Sequence, residues 1–325
     1  MLNYIDGDYS DPTIFHQRPE RLGNAQHPLH YLAIPPKLFG EVVKQLRSSE
    51  CPSGARVVVE KPFGHDLASA RSLNWTLHTG VAGRGAFYEQ AGAIRDVVEN
   101  HLCQLLTNLA MEAPANTSDQ SLRDEKGKVL QSIRALSFND VVRGQFKGYK
   151  SEEGVSPEST VETFVALRLY IDSSRWRGVP FYIRAGKSLP VTVTEATAIL
   201  RQPPAIFSDQ PPTHNYLRFR VTPNLAIAIG ALVEKPGDEM TGEEVELLVT
   251  EHSDSEEMLA YEELLGDAMH GDPTRFARED YVEEAWRIVD PILRNIIPVQ
   301  LYASGSWGPE QAERLVPEGG WRNPA

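Results

Sequence analysis

The chain contains a short apolar run that ends abruptly in two charged residues and a proline. Residues 56–64 read RVVVEKPFG, so three consecutive valines are followed by Glu60, Lys61 and Pro62. A β-branched run of this length predicts a strand that is buried on both faces, as in a parallel sheet. Ligands of open α/β sheets bind just beyond the carboxyl ends of such strands. Lys61 is therefore a candidate ligand-binding residue, with a surface lysine in a strand-to-helix turn as the ordinary alternative.

The residues before this run predict a strand, a helix and a second strand. The first strand is expected over residues 29–34, where Pro35 and Pro36 end it. Apolar side chains then recur at helical spacing between residues 38 and 46. Because the next strand is expected over residues 56–60, the connection joins parallel strands. Residues 29–60 therefore predict one βαβ unit, which is less than half of a dinucleotide-binding sheet.

The rest of the chain predicts further helices and a run of strands. A small-residue loop at 79–85 precedes a long apolar helix over about residues 91–111. Helices are also predicted over 119–133, 261–270 and 281–294, and strands over 163–171, 181–185, 194–200, 216–221, 225–233 and 244–250. Thr222-Pro223-Asn224 suits a hairpin loop. Strands flanked by helices favour an antiparallel sheet with helices on one face.

These patterns predict two domains, which is also the natural expectation for 325 residues. Residues 1–78 are assigned to a partial dinucleotide-binding domain with a Rossmann-like parallel sheet. Residues 79–325 are assigned to a larger α+β domain. The predicted fold class is therefore α/β plus α+β.

Composition and charge exclude several classes of function. A formal net charge of −13 argues against nucleic acid as a partner, although a few local cations can still bind an anionic substrate. The longest apolar stretch, residues 225–233, is too short for a membrane span, and residues 1–6 lack the features of a signal peptide. Two cysteines fit a reducing compartment. We expect a cytoplasmic protein that needs neither a membrane nor a metal.

A histidine on the predicted apolar helix is the main candidate for acid–base chemistry. His101 follows Val97 and Val98 by four and three positions, which places it on the apolar face of an α-helix. From these residues alone, a core histidine satisfied by one hydrogen bond is the favoured interpretation. Asp96 lies about 140° from His101 around an α-helix, so the two would not share a face. A solvated carboxylate on the helix surface is the ordinary interpretation of Asp96.

Three segments, in this order, resemble the glucose-6-phosphate dehydrogenases of bacteria. They are residues 56–64, residues 92–102 with the sequence GAIRDVVENHL, and residues 181–187 with the sequence FYIRAGK. The resemblance continues to RED at 278–280 and SWGP at 306–309. It implies oxidation of glucose 6-phosphate to 6-phosphogluconolactone, with hydride transfer to NADP, in the pentose phosphate pathway. It also implies a homo-oligomer, with residues 79–325 as the domain for substrate binding and dimerisation.

The resemblance assigns a role to four residues. His101 matches the general base that takes the proton of the sugar C1 hydroxyl, and a neutral imidazole suits that task. Asp96 matches an aspartate that binds the sugar hydroxyls, and Lys187 matches a lysine that reaches the substrate. Lys61 would bridge the substrate and the nicotinamide cofactor. We expect all four around one cleft, whereas Thr192 replaces a second basic residue that some relatives have.

Two pieces of the family pattern are missing. The chain has no Gly-x-x-Gly-Asp-Leu turn for the pyrophosphate and starts, at residues 4–9, downstream of it. It also lacks, after His78-Thr79, the strand with the aspartate that orients the base and the His and Lys that bind the sugar phosphate. Charge-assisted contacts contribute roughly 1.5–3 kcal/mol each, so losing two would weaken substrate binding about a hundredfold or more.

The sequence leaves three hypotheses open. The first is an active dehydrogenase. The second is a catalytically incompetent fragment whose β domain remains a dimerisation or partner-binding module, with negligible NADPH formation and no carboxylate within hydrogen-bond distance of the His101 imidazole. The third is a relative of the sugar and inositol dehydrogenases, which also place Glu-Lys-Pro after a strand. The third leaves the Asn-His-Leu helix and the Arg-Ala-Gly-Lys strand unexplained.

Overall fold

The computed structural model has two compact units. One comprises Met1–Ser188 with Leu259–Gly320, and the other comprises Leu189–Met258 with Trp321–Ala325. The structure describes residues 7–9, 11–16, 22, 25, 27–34, 38–49, 55–59, 84–202, 214–234, 242–250, 260–273, 275–293, 297–316 and 320–324. The predicted domain boundary between residues 78 and 79 lies outside these ranges and stays a prediction.

The first unit begins with a short helix, α1 (Pro12–His16), and the predicted βαβ unit follows. The elements of the βαβ unit are β1 (Leu29–Leu32), α2 (Phe39–Ser48) and β2 (Arg56–Val59). The strands pair in parallel, with Leu29 opposite Arg56 and Leu32 opposite Val59, which confirms the predicted connection. Phe39 on α2 is fully buried and belongs to a small core that extends to α1. The apolar side chains that recur along α2 thus pack the helix into this small core.

Helices make up much of the remaining first unit. They are α3 (Arg84–Ala93), a π-helix (Ile94–Leu102), α4 (Cys103–Ala110), α5 (Asp119–Gln131), α6 (Ala260–His270) and α7 (Glu279–Val289). The prediction of one α-helix over residues 91–111 is wrong. Helical structure is already present at Arg84, and it is interrupted at Gly92, where the backbone leaves helical φ and ψ. The middle of the predicted helix is a π-helix instead.

Eight strands follow β2 in the part of the chain that the structure describes. They are β3 (Val141–Phe146), β4 (Phe164–Tyr170), β5 (Pro180–Gly186), β6 (Thr194–Ile199), β7 (Tyr216–Thr222), β8 (Ala226–Glu234), β9 (Gly242–Thr250) and β10 (Val299–Tyr302). Six of them were predicted within a few residues. The sequence missed β3 and β10, which are short and lie in or beside polar stretches.

A mixed four-stranded sheet carries the core of the first unit. Its spatial order is β10-β3-β4-β5, with β10 parallel to β3 and the other pairs antiparallel. Val165 and Leu167 on β4 are fully buried in one cluster with Leu130 on α5 and Trp286 on α7. The sheet is therefore covered by helices on this face, as expected of an α+β domain.

The second unit contains an antiparallel sheet in the order β6-β7-β8-β9. Thr222-Pro223-Asn224 joins β7 to β8, whose residues Arg220 and Ala226 pair, so the predicted hairpin loop is confirmed. The predicted α/β plus α+β fold class is confirmed, with two separate sheets where one larger antiparallel sheet was expected. Among the described residues, no helix combines the length and apolarity that a membrane span requires.

Candidate active site

The predicted base lies on a helix that starts at a glycine with a special backbone conformation. Gly92 has φ 66° and ψ 177°, a region that is essentially restricted to glycine. A Cβ atom at this position would lie 2.5 Å from Glu162 Oε1 and 3.0 Å from its Cδ. Gly92 therefore permits both the interruption of helical structure near the end of α3 and the close approach of the Glu162 side chain.

The π-helix changes which residues share a face. The Cys103 N–H donates to the Val98 carbonyl five residues earlier, the i→i+5 pattern of a π-helix. A π-helix has more residues per turn than an α-helix, so five residues bring Asp96 and His101 closer to one side of the helix than an α-helix would. The α-helical prediction of 140° between them is wrong for this reason. His101 is exposed and Glu99 is buried instead, so His101 does not lie on the buried face and the interpretation of a core histidine is wrong.

Lys187 follows the last residue of β5, and its backbone is held on both sides. Its N–H donates to the Thr163 carbonyl at 2.8 Å, and its own carbonyl accepts from the Tyr302 hydroxyl at 2.7 Å. The side chain is exposed, and its Nζ atom lies 5.0 Å from the centroid of the Tyr88 ring. That distance is within the range of a cation–π interaction. The ammonium group is therefore placed over Tyr88 rather than left to sample solvent.

Tyr88 connects Lys187 to the π-helix. Its ring is buried, and its hydroxyl has no hydrogen-bond partner among the residues that the structure describes. Burial raises the pKa of Tyr88, and the negative charges of Asp96 and Glu162 raise it further. Tyr88 also belongs to the same core cluster as Ile94 and Val98, so Lys187 lies over a residue that packs with the helix that carries Asp96. Sequence reasoning missed Tyr88, since nothing in its spacing distinguishes it from a core tyrosine.

A buried ion pair supports the start of the π-helix. Arg143 Nη2 donates to Glu162 Oε2 at 2.7 Å, and Nε donates to the same oxygen at 3.2 Å. Both side chains are almost completely buried. Arg143 is flanked by apolar residues on β3, which was a possible signal, but its partner lies 19 positions away. No local pattern could have identified the pair.

The four predicted site residues have different outcomes. Asp96 and His101 lie on one π-helix, and Lys187 lies over Tyr88, which packs in one core cluster with Ile94 and Val98 of that helix. Lys61 lies outside the described residues. The convergence of all four on one cleft, and the absence of a carboxylate beside the His101 imidazole, therefore stay predictions.

The βαβ unit fits one half of a dinucleotide-binding sheet. Leu32 and Val59 are register partners in parallel strands, so both strands end at one edge. A nucleotide binds at such an edge in open α/β sheets. Lys61 follows β2 by two positions in the sequence and stays the predicted ligand at this edge.

Comparisons with known proteins agree with the sequence resemblance. Residues 1–87 match the family model "Glucose-6-phosphate dehydrogenase, NAD binding domain", and residues 72–322 match "Glucose-6-phosphate dehydrogenase, C-terminal domain". Glucose-6-phosphate 1-dehydrogenase 1 of Mycobacterium tuberculosis is 36% identical over 388 residues, which cover 99% of this chain and 81% of the relative. The enzyme of Aggregatibacter actinomycetemcomitans is 35% identical over 375 residues, which cover 91% of this chain and 76% of the relative.

Solved structures give the same result. The crystal structure of glucose-6-phosphate 1-dehydrogenase from Mycobacterium avium matches with a TM-score of 0.91 and 35% identity, covering 100% of this chain and 82% of that one. A glucose-6-phosphate dehydrogenase in complex with its substrate glucose-6-phosphate matches with a TM-score of 0.85 and 28% identity. This match covers 99% of this chain and 82% of that one. The 388 aligned positions of the Mycobacterium tuberculosis relative exceed the 325 residues of this chain, which is consistent with the predicted internal shortening.

Proposed function

This chain belongs to the glucose-6-phosphate dehydrogenase family, and we propose that it oxidises glucose 6-phosphate to 6-phosphogluconolactone with hydride transfer to NADP. The family establishes an oxidoreductase of glucose 6-phosphate that uses a dinucleotide. The preference for NADP over NAD is the finer part of the proposal. Comparing kcat/KM for the two dinucleotides at one glucose 6-phosphate concentration tests that preference.

In this proposal His101 is the general base. Its imidazole accepts the proton of the C1 hydroxyl while C1 becomes the lactone carbonyl. NADP, when bound, supplies the nicotinamide that accepts the hydride from C1. His101 can act in this way because its side chain is exposed and lies on the helix that carries Asp96.

Asp96 and Lys187 bind the substrate in the same proposal. The Asp96 carboxylate accepts hydrogen bonds from sugar hydroxyls, and it lies on the π-helix that also carries His101. The Lys187 ammonium donates to substrate oxygens from its place above the Tyr88 ring. Lys61 would contact both substrate and dinucleotide from the end of β2.

One observation carries the proposal. Lys187 Nζ lies 5.0 Å from the ring centroid of Tyr88, and Tyr88 belongs to the same core cluster as Ile94 and Val98 of the π-helix. This packing supports the proposal that the base and two substrate ligands lie near one another. A general base and its substrate ligands must be held together in this way for proton transfer to be efficient.

An assay of NADPH absorbance at 340 nm tests the proposal. We expect turnover at high glucose 6-phosphate that His101→Ala reduces by about a hundredfold or more, the usual contribution of a general base. His214→Ala, which replaces an exposed histidine of the second unit, is the matched control and should retain wild-type turnover. Equal loss in both variants, or turnover that survives His101→Ala, would contradict the assignment of the base.

The shortened sequence favours weak substrate binding. If the phosphate-binding His and Lys are absent, KM for glucose 6-phosphate should exceed that of the longer relatives about a hundredfold or more. Absence of NADPH formation at all substrate concentrations, with a folded chain, would instead support the catalytically incompetent module.

We also propose that the chain forms a homo-oligomer through the sheet of the second unit. Alternate residues of β8 and β9 form an exposed apolar face, and they are Ile227, Ile229, Val233, Val245, Leu247 and Val249. The opposite face carries the ion pairs of Arg218 with Glu195 and Glu246. A large apolar face beside a charged one marks an interaction surface, and a second copy of the chain supplies a matching apolar face.

We propose the cytoplasm as the location. The Cys103 thiol is free and buried, which is typical of a protein in a reducing compartment. The test is fractionation of cells with an antibody against the full chain, in which a membrane or secreted fraction would contradict the proposal.

A further inference from the structure

We infer that Glu162 is a positioning residue, which fixes the π-helix that carries Asp96 and His101 relative to Lys187. The inference rests on the function proposed above for these three residues. It concerns a side chain that no step of the reaction uses, since Glu162 is almost completely buried.

Glu162 binds two consecutive amides where the helical structure resumes. Its side-chain Oε1 accepts from the Ile94 N–H at 3.1 Å, and its backbone carbonyl accepts from the Ala93 N–H at 2.9 Å. The first amides of a helix have no partner within the helix, so these two bonds satisfy groups that would otherwise be unpaired. Glu162 thereby fixes where the π-helix starts, two residues before Asp96.

The next residue in the chain holds the other half of the site. The Thr163 carbonyl accepts from the Lys187 N–H at 2.8 Å. The Thr163 hydroxyl oxygen also accepts from the Phe146 N–H on β3 at 2.9 Å. Glu162 therefore binds the start of the helix that carries the proposed base, and Thr163 binds the backbone of the proposed substrate ligand Lys187. Because Glu162 and Thr163 are adjacent in the chain, the π-helix and Lys187 are held at a fixed distance from each other.

Arg143 keeps Glu162 in place. Besides the two bonds to Glu162, it donates to the Ile297 carbonyl at 3.0 Å and to the Thr160 carbonyl at 3.1 Å. Its backbone lies in β3, which pairs with both β10 and β4. The Arg143 guanidinium group thus has hydrogen-bond acceptors in three residues. Its two bonds to the Glu162 carboxylate restrict the rotation of that carboxylate.

If the Arg143–Glu162 pair only stabilised the fold, two apolar side chains at these positions would serve equally well. Replacing a buried ion pair by apolar residues of similar volume is often neutral or stabilising. An apolar side chain at position 162 cannot, however, accept the hydrogen bond from the Ile94 N–H. The two roles can therefore be separated by keeping or removing that acceptor when both charges are absent.

The experiment compares two neutral double variants. Arg143→Met with Glu162→Gln keeps an oxygen that accepts from Ile94, whereas Arg143→Met with Glu162→Ala removes it. Both double variants remove the hydrogen bonds of Arg143 to the Ile297 and Thr160 carbonyls. They therefore differ only in the side chain at position 162. We expect the Gln variant to keep kcat within about threefold of wild type and the Ala variant to lose at least about tenfold, because small displacements of reacting groups are costly. KM for NADP should stay unchanged in both.

Hydrogen–deuterium exchange of residues 94–102 provides a second readout that does not need turnover. We expect faster exchange in the Ala variant and wild-type protection in the Gln variant. The exposed pair of Arg134 and Asp172, when both are changed to alanine, is the control and should alter neither readout. Equal kcat and equal protection in the two double variants would overturn the inference. If the wild-type chain shows no turnover, the proposed function fails, but the exchange comparison still supports or overturns the role of Glu162.

Discussion

The Nζ atom of Lys187 lies 5.0 Å from the ring centroid of Tyr88, a buried residue whose hydroxyl has no partner within the described ranges. The ring, not the hydroxyl, is therefore the part of Tyr88 that acts on Lys187. Tyr88→Leu should raise KM for glucose 6-phosphate about fivefold, for a cation–π contribution of roughly 1 kcal/mol. Tyr88→Phe keeps the ring and should leave KM within about twofold. Steady-state kinetics of the two variants checks this, and a larger effect of Tyr88→Phe would assign the role to the hydroxyl.

Gly92→Ala should destabilise the fold strongly. The new Cβ would meet Glu162 Oε1 at 2.5 Å in a backbone region that alanine rarely adopts. We expect a loss of at least about 3 kcal/mol in the free energy of unfolding, from strain and overpacking together. Gly178→Ala is the matched control, because Gly178 has φ 80° but no atom within 4 Å of the new Cβ. It should cost about 1–2 kcal/mol. Urea titration of both variants measures the difference, and equal losses would exclude a role for the Glu162 contact.

Leu247→Lys should dissociate the proposed homo-oligomer. Leu247 is 67% exposed on the apolar face of β9. Burial of one leucine contributes about 1.5–3 kcal/mol, so two copies of the change should raise the dimer dissociation constant about a hundredfold or more. Leu248→Lys is the control, since Leu248 is 54% exposed on the opposite face of the same strand. Sedimentation of the wild type and both variants decides the matter. A monomeric wild type, or equal dissociation by both substitutions, would contradict the proposed face.

Cys103 should react slowly with thiol reagents in the native protein. Burial raises the pKa of the Cys103 thiol, and the nearby Glu99 carboxylate raises it further. The thiol therefore stays protonated at neutral pH, and only the thiolate is reactive. Labelling by iodoacetamide, followed by mass spectrometry of the peptide that contains Cys103, should be more than about a hundredfold slower in buffer than in urea. Similar rates in both would show that the π-helix and α4 open readily.

The sequence predicted the parallel βαβ unit, two of the four strands of the mixed sheet and all four of the antiparallel sheet, because side-chain periodicity is a local property. It could not predict the side of the helix that His101 occupies. The bonding pattern of the π-helix depends on Gly92, whose conformation depends on Glu162 some 70 positions later. The strand β10 was missed for a similar reason, since its four residues gain their partner from β3, more than 150 positions earlier. Long-range contacts thus decide the local geometry at the positions proposed for the chemistry.

The hydrogen bond from the Tyr302 hydroxyl to the Lys187 carbonyl joins positions 115 apart in the sequence. During synthesis the Lys187 segment leaves the ribosome long before Tyr302 does, and domains generally fold from the N-terminus as they emerge. A nascent chain that ends before β10 has β3 as an open edge and lacks this support for Lys187. The backbone at Lys187 can therefore assume its final hydrogen-bonded form only after β10 has been synthesised.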